Sequence, residues 1–180
     1  MLGKQHMLFG TVTGAMIAVT LNELGKIDTA GMFILTGFSI LGSLLPDIDK
    51  QTTTLGQVVK PVSTILEKTI GHRTYTHDLV LNMILCVICF IKIPFNDYTW
   101  LFPLITGLWI GIFGHLFLDS LTANGLPVLY LFNKKHIHLT PYKYRFYSGE
   151  NKAKAITVIC SIIFVCINLL VIEVTVGLAL

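Results

Sequence analysis

An all-α, integral membrane helical bundle of about five spans is the fold class this sequence predicts, and three observations predict it. The first is composition: 53% of the 180 residues are hydrophobic and 13% are charged. The mean hydropathy of +0.73 lies above that of a water-soluble domain. The second is grouping, because the apolar residues fall in five blocks, roughly 7–24, 30–45, 79–93, 98–121 and 155–180. The third is where the basic residues fall. With a cytoplasmic N-terminus, Lys4, Lys50, Lys60, Lys68, Arg73, Lys134, Lys135, Lys143, Arg145, Lys152 and Lys154 lie inside, and only Lys26 and Lys92 lie outside. That asymmetry selects N-in, C-out under the positive-inside rule.

The elements follow in order. Block one has no small-residue cleavage site and reads as a retained first span. Crossing the hydrocarbon core takes about 20 apolar residues; the first, fourth and fifth blocks have that length. The second and third are short, and polar residues complete one end of each, as expected of ends that line a site. Pro46 ends the second span. Thr76 is placed to cap the third, with Asp78 in its first turn. Gly107, Gly111 and Gly114 would let a neighbouring helix approach the fourth closely. Thr122-Ala123-Asn124-Gly125 stops that span with an Asn-Gly turn signal. Cys86, Cys89, Cys160 and Cys166 sit in apolar runs without polar partners and read as inert thiols, the Cys86-x-x-Cys89 spacing notwithstanding. The length fits a single domain, residues 1–180.

The chemistry gathers at one set of span ends. His6 starts the first span, and Asp47 and Asp49 end the second in "LPDID". His72 and His77 precede the third in "GHRTYTHD", and His115 and Asp119 close the fourth in "GHLFLD". Alone, His6 reads as an interfacial histidine and the aspartate pair as a solvated helix end. Together, seven potential ligands from four spans converge on one membrane face. His115 and Asp119 are four apart, on one face of a helix, and an ionisable pair embedded in a span is generally functional. Mixed His/Asp ligation suits zinc, manganese or iron rather than calcium. Seven ligands exceed one tetrahedral shell, so two divalent ions are expected, zinc favoured. His136 and His138 alternate as on a strand and read as surface or headgroup contacts.

The ordered set His6, "LPDID", "GHRTYTH" and "GHLFLDSLTANG" resembles the YdjM family of bacterial inner-membrane proteins, described as metal-dependent hydrolases. The resemblance covers most of residues 1–150. It implies metal ligation by His6, Asp47, Asp49, His72, His77, His115 and Asp119, and a location in the cytoplasmic (inner) membrane. Gly149 and Glu150 match the end of the family's basic stretch. Members also carry a LexA-binding label, which no feature of this sequence supports. More distantly, the motifs are similar to the helical zinc-dependent phospholipase C and nuclease fold. The chain lacks the second His-x-x-x-Glu/Asp after Asp119 that those enzymes carry.

The expected function is a membrane-bound phosphoesterase acting on a lipid-borne phosphate ester at the cytoplasmic interface. Arg73 suits an anionic phosphate because its planar fork binds oxygens in pairs. Lys143 and Arg145 add positive potential for substrate, and Asp49 is the candidate acceptor of a water proton. Membrane lipid and an anionic phosphate are the expected partners, and nucleic acid is not. Two alternatives come from other classes: a non-catalytic metal-binding scaffold or regulator, and a cation transporter. Transport sites normally lie near the bilayer midplane, whereas these ligands share one face.

Overall fold

The structure is a computed structural model describing residues 1–92, 100–130 and 132–177. Five long helices match the five apolar blocks: α1 (Gly3–Glu23), α2 (Thr29–Gly42), α5 (Leu79–Lys92), α6 (Leu101–Ser120) and α7 (Asn151–Gly177). Between α2 and α5 lie two short helices, α3 (Thr54–Val58) and α4 (Lys60–Thr69), and two 3-10 turns, Pro46–Asp49 and Tyr75–His77. A two-stranded antiparallel ribbon follows α6: β1 (Leu126–Leu129) and β2 (Asn133–Ile137). The all-α membrane bundle stands, with this ribbon as its small exception.

The span lengths differ from expectation in one exchange. Among the described residues, three helical stretches are long and apolar enough to cross a membrane: Thr29–Asp49, Leu101–Ser120 and Asn151–Thr175. The second block is therefore not short, because the chain continues from α2 through the Pro46–Asp49 turn. α1 has the length, at 21 residues, but not the hydropathy, since Lys4, Gln5, His6 and its threonines dilute it. Those hydroxyls are satisfied within the helix: Thr11, Thr13 and Thr20 donate to the carbonyls of Met7, Phe9 and Met16. α5 is apolar but shorter, over Leu79–Ile91.

The core is a seam between α2 and α6. A Cβ on Gly107 would stand 2.2 Å from the Leu35 carbonyl oxygen, and one on Gly111 would stand 2.1 Å from that of Ser39. From the other side, a Cβ on Gly42 would meet the Leu108 oxygen at 2.1 Å. The two backbones touch, which only glycine allows. Gly114 faces α1 instead, against the Phe9 ring. α1 joins the seam through Ser39 Oγ, which donates to the Gly10 carbonyl at 2.8 Å. α7 is the outlier, with 11% of its spanning stretch buried.

One expected detail changes and another holds. Asp78, not Thr76, caps α5: its Oδ1 accepts from the Leu81 amide at 3.0 Å, and its Oδ2 from the Tyr130 amide. The Asn-Gly stop after α6 forms as expected, with Gly125 at φ +67 and its amide donating to the Thr122 carbonyl. Phe146, 1% exposed, plugs the end of the bundle among Phe9, Leu118 and Ala153, and so anchors the loop that leads into α7.

Candidate metal centre

The turns before α3 and α5 form a shelf around Asp49, whose side chain is fully buried. Its Oδ1 pairs with His72 Nδ1 at 2.7 Å. Its Oδ2 accepts from the Arg73 amide at 3.0 Å and from the Thr76 hydroxyl, and lies 3.4 Å from His77 Nδ1. Arg73 reaches this position with φ +58, a left-handed backbone that a non-glycine residue adopts at a cost. That twist aims the amide at Asp49 while the guanidinium Nη2 stands 2.7 Å from Asp119 Oδ2.

Opposite the shelf stands a wall built from α1 and α6. His115 is fully buried, and its Nδ1 stands 2.7 Å from the Ser43 carbonyl. A carbonyl only accepts, so Nδ1 carries the proton and Nε2 keeps its lone pair. By the same logic, contact with Asp49 places the His77 proton on Nδ1 and frees its Nε2. The two free nitrogens are 3.3 Å apart. His77 Nε2 lies 3.7 Å from Asp47 Oδ1 and 3.6 Å from Asp119 Oδ2, and His115 Nε2 lies 3.8 and 3.7 Å from the same atoms. Ligands about 2.0–2.1 Å from a tetrahedral ion stand about 3.3–3.4 Å from one another. His77 Nε2, His115 Nε2 and Asp119 Oδ2 are therefore spaced like part of one coordination shell, with Asp47 Oδ1 near both nitrogens.

His6 completes the wall, its ring stacked on His115 with centroids 3.6 Å apart. Its Nε2 lies 3.5 Å from Asp119 Oδ1, which also meets the Met1 amine at 2.5 Å. Among the described residues, three overlapping groups could each hold an ion: His6, Asp47 and His115; His77, His115 and Asp119; Asp47, Asp49 and His72. All seven residues expected as ligands thus come together. Burial disfavours charge on His77, but hydrogen bonds to Asp47 and Asp49 and the Asp119 charge outweigh it and raise its pKa above the ordinary value.

The donor set fits a divalent cation. Both His6 nitrogens and Asp119 Oδ2 are buried without a hydrogen-bond partner, although Arg73 Nη2 makes an ion contact with that oxygen. Unpartnered buried polar atoms are costly, and a cation accepted by both imidazole and carboxylate relieves that cost. Both oxygens of Asp119 already face positive groups.

The cluster opens onto a polar cavity of about 610 Å³, reached past Asp47, His72 and Arg73. The remaining lining lies outside the expected ligand set. Lys4, Lys50 and Lys154 supply charge, and Thr52, Thr53, Asn124 and Ser148 supply polar groups. Lys143 and Arg145, expected to bind substrate, are not in that lining. Each stacks on a neighbouring tyrosine, Lys143 over Tyr144 at 5.9 Å and Arg145 over Tyr142 at 5.4 Å. Asp49, expected to accept a proton, is surrounded by donors from His72, Arg73 and Thr76. His136 and His138 lie outside the cluster, bonded through Nδ1 to the Asn124 and Thr122 carbonyls.

Comparison with known proteins bears on this arrangement. The family profile described as "YdjM inner membrane protein" matches residues 1–176. The inner membrane proteins YdjM of Escherichia coli (strain K12) and of Shigella flexneri are each 30% identical over 132 residues, 72% of this chain. The match spans 65% of the length of each of these two relatives. A Bacillus subtilis (strain 168) protein, "Uncharacterized protein YvsG", is 33% identical over 90 residues, covering 50% of this chain and 52% of its own. No solved structure matches.

Proposed function

The chain belongs to the family of YdjM inner membrane proteins, and from that premise we propose that it is a metal-dependent phosphoesterase acting on a lipid-borne phosphate ester at the cytoplasmic face. One observation carries the proposal: a buried His/Asp cluster with a metal-like spacing opens onto a cavity lined by cations. His77, His115, Asp47 and Asp119 would hold one divalent ion. His6, with the second oxygen of Asp119, would contribute to another, zinc favoured over manganese or iron. Bound ions of this kind supply Lewis-acid activation of water and of a phosphoryl oxygen.

The protein's own groups do the rest. His72 lines the cavity, and its Nδ1 hydrogen bond to Asp49 leaves Nε2 as the proton-accepting atom. Asp49 holds that tautomer, the role of a carboxylate behind a catalytic histidine. Arg73 touches both the cluster and the cavity, where its charge opposes that developing on a phosphoryl group. Burial of the cluster beneath the cavity limits water at the ligands.

The test is elemental analysis of the purified protein with a phosphoester panel that includes phospholipids. Arg73→Lys should keep metal and fold while turnover falls on the order of 10²–10³. Unchanged hydrolysis would remove Arg73 from the mechanism. A cysteine at Lys143 that labels in intact cells would overturn the cytoplasmic orientation. Burial also favours a second reading, a closed structural ion that clamps the helix ends. A metal-loaded protein silent on every phosphoester would select it.

A further inference from the structure

The cavity above the cluster is larger and more positive than a single phosphate monoester requires. At about 610 Å³ it falls in the range of pockets that enclose a whole small ligand. Three of its cations come from distant parts of the chain: Lys4 from the first turn of α1, Lys50 from just after the Pro46–Asp49 turn, and Lys154 from the first turn of α7. Two neighbouring groups already have partners. Arg73 pairs with Asp119, and Asp47, the carboxylate in the lining, faces His77 and His115. Lys4, Lys50 and Lys154 pair with no carboxylate among the described residues. Like charges gathered without counter-charge cost free energy unless an anion joins them. Ser148 adds a hydroxyl that can donate to it.

We propose that Lys4, Lys50 and Lys154 form a second anion subsite, so that the ligand carries two linked phosphoryl groups, one toward the His/Asp cluster and one toward the lysines. The proposal rests on the phosphoester reading for the first group and extends it to the class of headgroup. The three lysines are specificity-determining residues: they hold the second group and leave the ligand cluster unaltered. A diphosphate on a lipid and a free diphosphate share this chemistry, so both are tested.

The experiment measures binding to the full chain in detergent with its native metal content. The probes are methylphosphonate, methylenediphosphonate and dodecyl methylenediphosphonate, none of which a phosphoesterase cleaves at the P–C bond. Protection of each lysine from an amine-reactive reagent is read by mass spectrometry. Methylenediphosphonate should protect Lys4, Lys50 and Lys154 at a concentration about tenfold below methylphosphonate, a gap of about 1.4 kcal/mol. Lys152, on the same helix as Lys154 but outside the cavity, is the control and should gain no protection. Lys4→Gln and Lys154→Gln should each lower the preference about 3- to 5-fold, the range of an exposed ionic contact, and the arginine variants should restore it. Chelation by the probe acts on wild type and variants alike, so the ratio between them isolates the lysines. Tighter binding of the dodecyl probe than of the free diphosphonate assigns the headgroup to a lipid, and equal binding assigns it to a soluble diphosphate. Equal protection by mono- and diphosphonate, or protection of Lys152 as strong as that of Lys154, would overturn the subsite. Preference without hydrolysis of any phosphoester would keep the subsite and sink the catalytic reading. Hydrolysis without preference would do the reverse.

Discussion

Asp49 and Asp119 are both fully buried aspartates within one cluster, yet their surroundings differ in kind. On the shelf, each oxygen of Asp49 is engaged by donors from His72, Arg73 and Thr76, with His77 alongside. On the wall, Asp119 Oδ2 has only an ion contact, and His6 has no hydrogen-bond partner on either nitrogen. The contrast separates two tasks. A carboxylate held by hydrogen-bond donors keeps its neighbours in place, while one whose oxygens already face positive groups, here the Met1 amine and the Arg73 guanidinium, is suited to meet a cation. Sequence type cannot make this distinction, because both positions read simply as aspartate beside histidine.

The comparison can be broken most sharply from the wall. His115→Ala or Asp119→Ala should reduce metal affinity by more than about 100-fold, beyond the range for outer-shell residues, as read by elemental analysis after purification. Removing the shelf carboxylate charge with Asp49→Asn should cost about 10–100-fold, the usual outer-shell effect. If Asp49→Asn strips metal as completely as Asp119→Ala, the two carboxylates play one role and the contrast fails. Acidity gives a smaller, graded effect. Because the His77 pKa is raised, its ring is protonated up to a higher pH than usual, and a cation must displace that proton. Metal affinity measured by competition with a chelator should therefore rise with pH until His77 titrates, by roughly tenfold per pH unit for one displaced proton. A flat profile would take His77 out of the ligand set. The smallest effect should come from residues outside both regions. His136→Ala, Cys86→Ser and the Lys143→Gln/Arg145→Gln pair should leave metal content unchanged within about twofold, as surface changes usually do. Metal loss in any of these would place the centre elsewhere.

Much of the bundle was legible because helices and apolar blocks share a length scale. The ligand set was legible because His and Asp are rare in so apolar a chain and recur at span ends. The i, i+4 pair at His115 and Asp119, and the glycines at 107 and 111, carry their geometry in their spacing. Other features do not. Lys4 and Lys154 meet only because α1 and α7 pack side by side, and no local pattern relates residues 150 apart. Lys143 and Arg145 looked equally suitable by charge, but Phe146 buries its ring in the bundle end and leaves them over their own tyrosines. The swap between α1 and the second block arose because α1 takes in Lys4, Gln5 and His6, which lie before the apolar run that begins at residue 7. It also arose because a proline that ends an α-helix need not end the buried path of the chain.

The glycine seam has a consequence for anyone who would redesign this protein. Gly107 lies eight residues from His115, about 12 Å along the helix, and a methyl group there would meet the Leu35 backbone rather than a side chain that could turn aside. α2 and α6 would have to part or slide, and Ser43, which sets the His115 tautomer, sits on the moving partner. Bulk at residue 107 would thus be read at the far end as a change in coordination. The adjustable parts of the scaffold are elsewhere: α7 offers most of its surface for new anchors or fusion partners, while α2 and α6 behave as a fixed gauge whose spacing determines which ion can be held.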